Sequence, residues 1–349
     1  MQGGPAKIDA GEQARPLITQ SHAVFPSGER PMQRTRTTGT DATPADDPLR
    51  QRGTELLQVA VLVETDDSWG SSVIRGIADY SQNHGHWRLL IDPKDPEQRV
   101  ALPDRWEGHG IIVRLGSQRQ VEQILERGVP TINVDTVYEG IEGICDVVTD
   151  DRERARLALE HLRDRGFSEF AYFAPPSHRY SARRGLEFSK AVEEAGYPCH
   201  EYRPGYRPGR KIGWEERQRR VSRWLQSLPR PIAVFTVDAF RGRQLAETCH
   251  MAGIRVPDEV AIPAGDTDEL MCEVSTPPLS SVAVAGRRIG FDAARLLDRL
   301  MHGEKPPKEP IKIPPHGVIS RQSTDILAID DEAVVRALRF IQEHAFRDI

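Results

Sequence analysis

Four polar clusters in this chain stand immediately behind apolar runs of strand length. Glu64-Thr-Asp-Asp-Ser68-Trp69 follows the run 58–63, Asp135 follows 131–134, Asp238 follows 232–236, and Gly265-Asp266-Thr-Asp268-Glu follows 260–263. In an open α/β sheet this is the edge at which ligands bind. A carboxylate there can accept hydrogen bonds from two neighbouring hydroxyls, and an indole face such as that of Trp69 can cover the apolar side of a sugar ring. The groups therefore suit a neutral polyol. An aspartate at a strand-to-helix junction is equally the ordinary helix N-cap, so any one of them alone serves either reading. Several converging from both halves of the chain favour a cleft. Trp69 also opens an apolar helical stripe, which gives it a packing role of its own.

The elements that must hold these groups follow a strand-and-helix rhythm. The run 58–63 reads as a strand, Trp69, Val73, Ile77 and Tyr80 recur at helical spacing, and strand patterns return at 87–91, 110–113 and 131–134, with helices at 118–127 and 151–165. A second set then begins, with strands at 170–173, 232–236 and 260–263 and helices at 181–195, 214–226 and 241–251. A helix at 287–301, a Pro- and Lys-rich link at 303–310 and two short strands complete it. This alternation predicts an α/β fold of two doubly wound parallel-sheet lobes. Residues 1–55, rich in Gly, Pro, Thr, Gln and Arg without a sustained apolar period, read as a disordered leader.

Composition removes several function classes. The 349 residues carry 47 Lys plus Arg against 52 Asp plus Glu, a net charge of −5, so no global field favours nucleic acid or anionic lipid and any DNA contact must be local. No apolar run approaches the roughly 20 residues of a membrane helix, and the start lacks a signal-peptide core. No membrane partner is expected. Cys145, Cys199, Cys249 and Cys272 lie far apart with no CxxC pair, which reads as free thiols in a reducing cytoplasm instead of a metal site. GxxxxGK[ST], HExxH and GxSxG are absent, and Gly108-His-Gly110 precedes its strand, against a dinucleotide site. No catalytic residue, metal or cofactor is assigned. His161 reads as a packing or solvent-facing residue on its helix, and the basic stretch 203–223, whose charges would also suit a phosphate footprint, as a solvated helix face with Trp214, Val221, Trp224 and Leu225 turned to the core.

Val59-Ala-Val-Leu-Val63, Arg184-Gly-Leu-Glu-Phe188, Phe235-Thr-Val-Asp238-Ala239, Ile254-Arg-Val-Pro-Asp-Glu-Val260, Gly265-Asp266 and Pro278-Leu-Ser-Ser-Val282 occur in this order along the chain. In that order they resemble the sugar-sensing domains of LacI/GalR-type repressors, of type I periplasmic-binding-protein fold, over about residues 58–320. The stretch from Pro278 through Ser320-Arg-Gln-Ser-Thr-Asp325 to Arg339-Phe-Ile-Gln-Glu-His344 looks most like the XylR-type xylose regulators, in which the sensor precedes an AraC-type DNA-binding domain. The resemblance implies that Arg184 is the cleft arginine, Asp266 the cleft acid and Asp238 a further ligand contact, with Val237 replacing the usual polar residue before it. Asp135, Ser68 and Trp69 match as first-lobe contacts less sharply. Arg183 beside Arg184 leaves the register open by one.

The organisation expected from these readings is a leader at 1–55, a sensor at 56–325 and, at 326–349, the first helix of a truncated AraC-type domain. Lobe one is expected at about 56–165 and 285–310, and lobe two at about 166–284 and 311–325. Val334, Leu338, Ile341 and Ala345 trace an apolar face on the last helix. The expected function is a cytoplasmic, sugar-responsive transcriptional regulator, not an enzyme. Its expected partners are D-xylose or another small neutral sugar, a second copy in a homodimer, and operator DNA through the rest of the AraC-type domain alone. The alternative is a cytoplasmic sugar-binding or sugar-processing protein with no DNA role.

Overall fold

A computed structural model describes residues 56–95, 97–174, 179–203 and 213–325, with Ala333, Val334, Arg336, Ala337 and Phe340 beyond them. The expected leader and most of 326–349 lie outside the described residues. Those five C-terminal residues are helical and exposed. Residues 56–325 belong to the unit that begins at Thr54.

Short β-rich runs build the first sheet, the central ones buried on both faces and the edge ones partly exposed. Its strands are β1 (Gln58–Leu62), β2 (Arg88–Ile91), β3 (Gly110–Val113), β4 (Thr131–Asn133), β5 (Cys145–Thr149) and β12 (Ile311–Ile313). They run parallel in the order β12-β5-β4-β3-β1-β2. Alternate residues feed alternate faces. Val59, Val61 and Ile112 meet α1 (Ser68–Tyr80) and α8 (Gly286–Met301) on one side, while Ala60, Leu62, Ile111 and Val113 meet α2 (Gln118–Leu125) on the other. Helices α1 and α8 touch through glycines: a Cβ on Gly76 would fall 1.9 Å from the Arg287 carbonyl, and one on Gly290 1.9 Å from that of Val73. This contact fixes the axis of α1 and so the place of Ser68 and Trp69 at its first turn.

The second sheet comprises β6 (Phe170–Phe173), β7 (Cys199–Glu201), β8 (Ile232–Thr236), β9 (Val260–Ala261), β10 (Pro263–Ala264), β11 (Ser280–Ala283) and β13 (Gly317–Ile319). The order is β13-β11-β10-β8-β6-β7, with β9 beside β8. Helices α5 (Trp214–Ser227) and α6 (Ala239–Met251) supply Val221, Leu225, Leu245 and Cys249 to one face. Helices α3 (Asp151–Arg163) and α4 (Arg179–Glu194) supply Leu159, Leu162, Phe188 and Val192 to the other.

Four details differ from the expectation. Helix α3, placed in lobe one from sequence, packs on the second sheet because Ala155, Ala158, Leu159 and Leu162 share a core with Phe170 and Phe235. Ile311–Ile313, placed in lobe two, pairs in parallel with β5 of the first sheet, so the last crossing falls after residue 313. The sheet of lobe two is not wholly parallel, since β13 runs antiparallel to β11. Strand β5 itself escaped the sequence pattern because Asp146 interrupts its apolar run, and that carboxylate is satisfied by Asn133 Nδ2 and the Gly140 amide, each at 2.8 Å. Burial nonetheless raises its affinity for a proton.

In the basic stretch, Val221 and Leu225 are buried as expected and Trp224 packs beside them, whereas Trp214, at the first position of α5, is 55% exposed. Residues 204–212 of that stretch lie outside the described residues. His161 is half-buried, with Nε2 2.8 Å from Thr324 Oγ1. All four cysteines are free thiols, Cys249 and Cys272 buried. Among the described residues no helix is long and apolar enough to cross a membrane.

Candidate functional site

A cavity of about 340 Å³ opens where the carboxyl ends of both sheets face each other. Ser68, Trp69, Asp135, Arg184, Asp238 and Asp266, the six residues singled out in the sequence, all line it. The volume lies at the lower end of small-molecule sites.

The first-lobe wall is organised around Arg114, the residue directly after β3. Its Nε donates to Asp135 Oδ2 and its Nη1 to Asp67 Oδ2, both at 2.8 Å, with Glu64 at 3.7 Å. The guanidinium lies 4.9 Å from the centroid of the Trp69 ring, within cation–π range. Burial opposes the charge on Arg114, but Asp135 and Asp67 outweigh it and hold the guanidinium protonated well above its ordinary range. Asp67 also caps α1 by accepting from the Gly70 amide, which ties the wall to the helix start.

The second-lobe wall carries Arg184 on α4. Its Nη1 donates to the Val237 carbonyl at 2.9 Å, and its guanidinium lies 4.9 Å from the Tyr180 ring. Asp266 Oδ2 is 3.8 Å from Nη1, and Asp151 Oδ1 3.7 Å from Nε. Asp266 reaches this position because Gly265 precedes it. A Cβ on Gly265 would fall 2.4 Å from the Val237 carbonyl, so only glycine lets the strand end run against that peptide. Burial raises the Asp266 carboxyl above the usual aspartate range, with Arg184 pulling against it. Asp266 Oδ1 accepts from the Ala239 amide at 3.0 Å, and Asp238 Oδ1 from the Arg241 amide at 2.7 Å. Asp238 is thus the N-cap of α6 and a cavity residue together, so the two sequence readings are compatible there, while Asp266 accepts from the first amide of the same helix. The adjacent Arg183 takes another path and pairs with Glu139 of the first lobe, whereas Arg184 lines the cavity. Ser68 Oγ donates to Asp268 Oδ2 at 2.7 Å, a second direct link between lobes.

Sequence reasoning held Asp67 and Asp268 only as members of two polar clusters and missed Arg114, Asp151, Arg154 and Tyr180 as cavity residues. Arg114 carried the same signal as the others, a polar residue right behind a strand. Asp151 and Arg154 were hidden because β5 was unread, and Tyr180 stands just ahead of the helix read at 181–195, inside the first turn of α4. Six aspartates against three arginines line the cavity. Among the described residues no group of His, Cys, Asp or Glu is placed to hold a metal ion.

Comparison with known proteins agrees with this architecture. A family model described as a periplasmic binding protein-like domain matches residues 159–324. The Xylose operon regulatory protein of Escherichia coli (strain K12) is 30% identical over 304 residues, covering 85% of this chain and 76% of that protein. That of Haemophilus influenzae (strain ATCC 51907 / DSM 11121 / KW20 / Rd) is 30% identical over 306 residues, covering 83% and 76%. The solved structure of a xylose-binding transcription activator, xylR, superposes with a TM-score of 0.71 at 27% identity, covering 85% of this chain and 77% of that one.

Proposed function

The chain belongs to the family of xylose operon regulatory proteins and is a sugar-sensing transcriptional regulator, and from that premise we propose that its cleft binds D-xylose or a closely related aldopentose. The observation that carries this reading is the convergence of Arg114, Asp135, Arg184 and Asp266 from two lobes on one small cavity. Each arginine–carboxylate pair offers donors and acceptors side by side, the combination that vicinal hydroxyls require. Trp69 supplies an aromatic face against which a pyranose can lie. The excess of carboxylates over arginines disfavours a phosphorylated sugar, whose dianion would enter a field of its own sign.

In this reading the sugar bridges the lobes, binds the closed arrangement better than the open one, and shifts the population towards it by that difference. The shift passes to DNA through the segment after residue 325, in a cytoplasmic homodimer that reads paired half-sites. The protein acts as a sensor, with no reaction performed on the sugar. Isothermal titration against a panel of neutral pentoses, hexoses and their phosphates tests the ligand. D-xylose is expected to bind most tightly, with one site per chain. Binding of none of the neutral sugars, or a preference for a phosphate ester, would overturn the reading.

A further inference from the structure

Where the chain passes from β5 into α3, crossing from the first lobe to the second, Asp151, Arg154 and Arg184 form a charged trio in the cavity wall. The side chains of Asp151 and Arg154 are 3% and 2% exposed. Their contacts are nevertheless long: Asp151 Oδ1 is 3.4 Å from Arg154 Nη1 and 3.7 Å from Arg184 Nε. Among the described residues, neither Asp151 oxygen, nor Arg154 Nε or Nη1, nor Arg184 Nε has a hydrogen-bond partner. Buried charged donors and acceptors left this way are costly, and native proteins rarely keep them without a use. Arg154 registers that cost, since burial and then the like charge of Arg184 push its guanidinium down to about 10.

One chemical group answers both sides of the trio. A hydroxyl donates to a carboxylate and accepts from a guanidinium through the same oxygen. A methylene does neither, an ammonium would meet two arginines, and a carboxylate or phosphate would meet Asp151. Resting on the sugar reading above, we propose that Asp151, Arg154 and Arg184 form a hydroxyl-selective subsite on the hinge side of the cavity. Arg154 and Asp151 are the specificity-determining pair that decides which pentose is accepted. A hydroxyl seated there slips between the carboxylate and the two guanidiniums, replaces the long ion pairs by hydrogen bonds, and touches the chain where the lobes join.

The test compares wild type, Arg154→Met and Asp151→Asn by isothermal titration with D-xylose and with each singly deoxygenated D-xylose, circular dichroism confirming that each variant is folded. In wild type, removal of one particular hydroxyl is expected to weaken binding about ten- to hundredfold, the range of a hydrogen bond to charged groups. In both variants D-xylose itself should weaken by a similar factor, and the penalty for that one missing hydroxyl should shrink to about twofold. Variants that bind D-xylose as wild type does, or that keep the full deoxy penalty, overturn the subsite and leave the sugar reading standing. Wild type that binds no neutral pentose overturns both. Should Arg154→Met fail to fold, Asp151→Asn, which keeps the shape of the side chain, decides the matter by the same two readouts.

Discussion

In the first lobe Arg114 donates at 2.8 Å to both Asp135 and Asp67, and its guanidinium lies against Trp69. Across the cleft Arg184 makes one hydrogen bond among the described residues, to the Val237 carbonyl, and keeps Asp151 and Asp266 at 3.7 and 3.8 Å. The first wall pairs its arginine with two carboxylates at hydrogen-bond distance and so arrives pre-shaped, with only Glu64 held farther off at 3.7 Å. The second wall holds charges close together without completing their hydrogen bonds, which leaves that capacity for a ligand. Preorganisation lowers the ordering cost of binding, while incomplete pairing supplies discrimination, because a ligand with the wrong group leaves the buried charges as they were. On the proposed sugar reading, one lobe sets the shape of the site and the other its selectivity.

The sharpest way to break this comparison is to remove the central arginine from each wall in turn. Arg184→Ala should cost about a hundredfold in affinity for D-xylose, the upper range for charge-assisted hydrogen bonds, with a smaller change in unfolding free energy. Calorimetry paired with urea denaturation reads both quantities. A variant that unfolds much more easily yet binds normally would make Arg184 a structural cap and remove the second wall from recognition.

Arg114→Met should show the reverse weighting. It leaves Asp67, Asp135 and Glu64 facing one another without their shared cation, so stability should fall by about 2 kcal/mol while affinity falls about tenfold. The same two measurements apply. Unchanged stability with a hundredfold affinity loss would mean that the first wall, too, completes its bonding only with ligand, and the contrast between lobes would collapse.

Much of this site was legible in the sequence for a physical reason. Parallel strands buried on both faces are short apolar runs, and the first one or two residues after each such run emerge at the ligand-binding edge. Asp135, Asp238 and Asp266 obey that rule, and the resemblance supplied Arg184, which sits inside a helix where no edge rule applies. The rule was equally available for Arg114 and was not used there. What the sequence hid were features settled by pairing across the chain. Asp146 breaks the pattern of β5 and finds its partners only in the fold, in Asn133 and Gly140. The membership of α3 in the second lobe depends on which core Leu159 and Leu162 meet, and its amphipathic stripe would suit either sheet. Whether a charged residue is fully paired, the property that separates Arg114 from Arg184, is a matter of ångströms that residue type does not encode.

The smallest expected effect concerns the contact that joins the walls. Ser68 Oγ, on the first residue of α1, donates at 2.7 Å to Oδ2 of Asp268, the N-cap of the short helix α7 (Glu269–Glu273). Asp268 keeps its cap bond without Ser68, because its other oxygen accepts from the Met271 amide at 3.0 Å. Ser68→Ala therefore removes one exposed bridge between lobes and leaves neither partner buried and unpaired. Such a bond contributes roughly 0.5–1.5 kcal/mol, a two- to tenfold bias towards the closed arrangement. The Arg183–Glu139 pair continues to hold the lobes, so closure is weakened and not abolished. Small-angle scattering should find the unliganded variant slightly more extended than wild type, saturating D-xylose should return both to one radius of gyration, and affinity should fall two- to tenfold. A variant equal to wild type in radius and affinity would show that the walls reach each other through the sugar and Arg183 alone, and would confine the shape-setting role of the first lobe to Arg114 and Trp69.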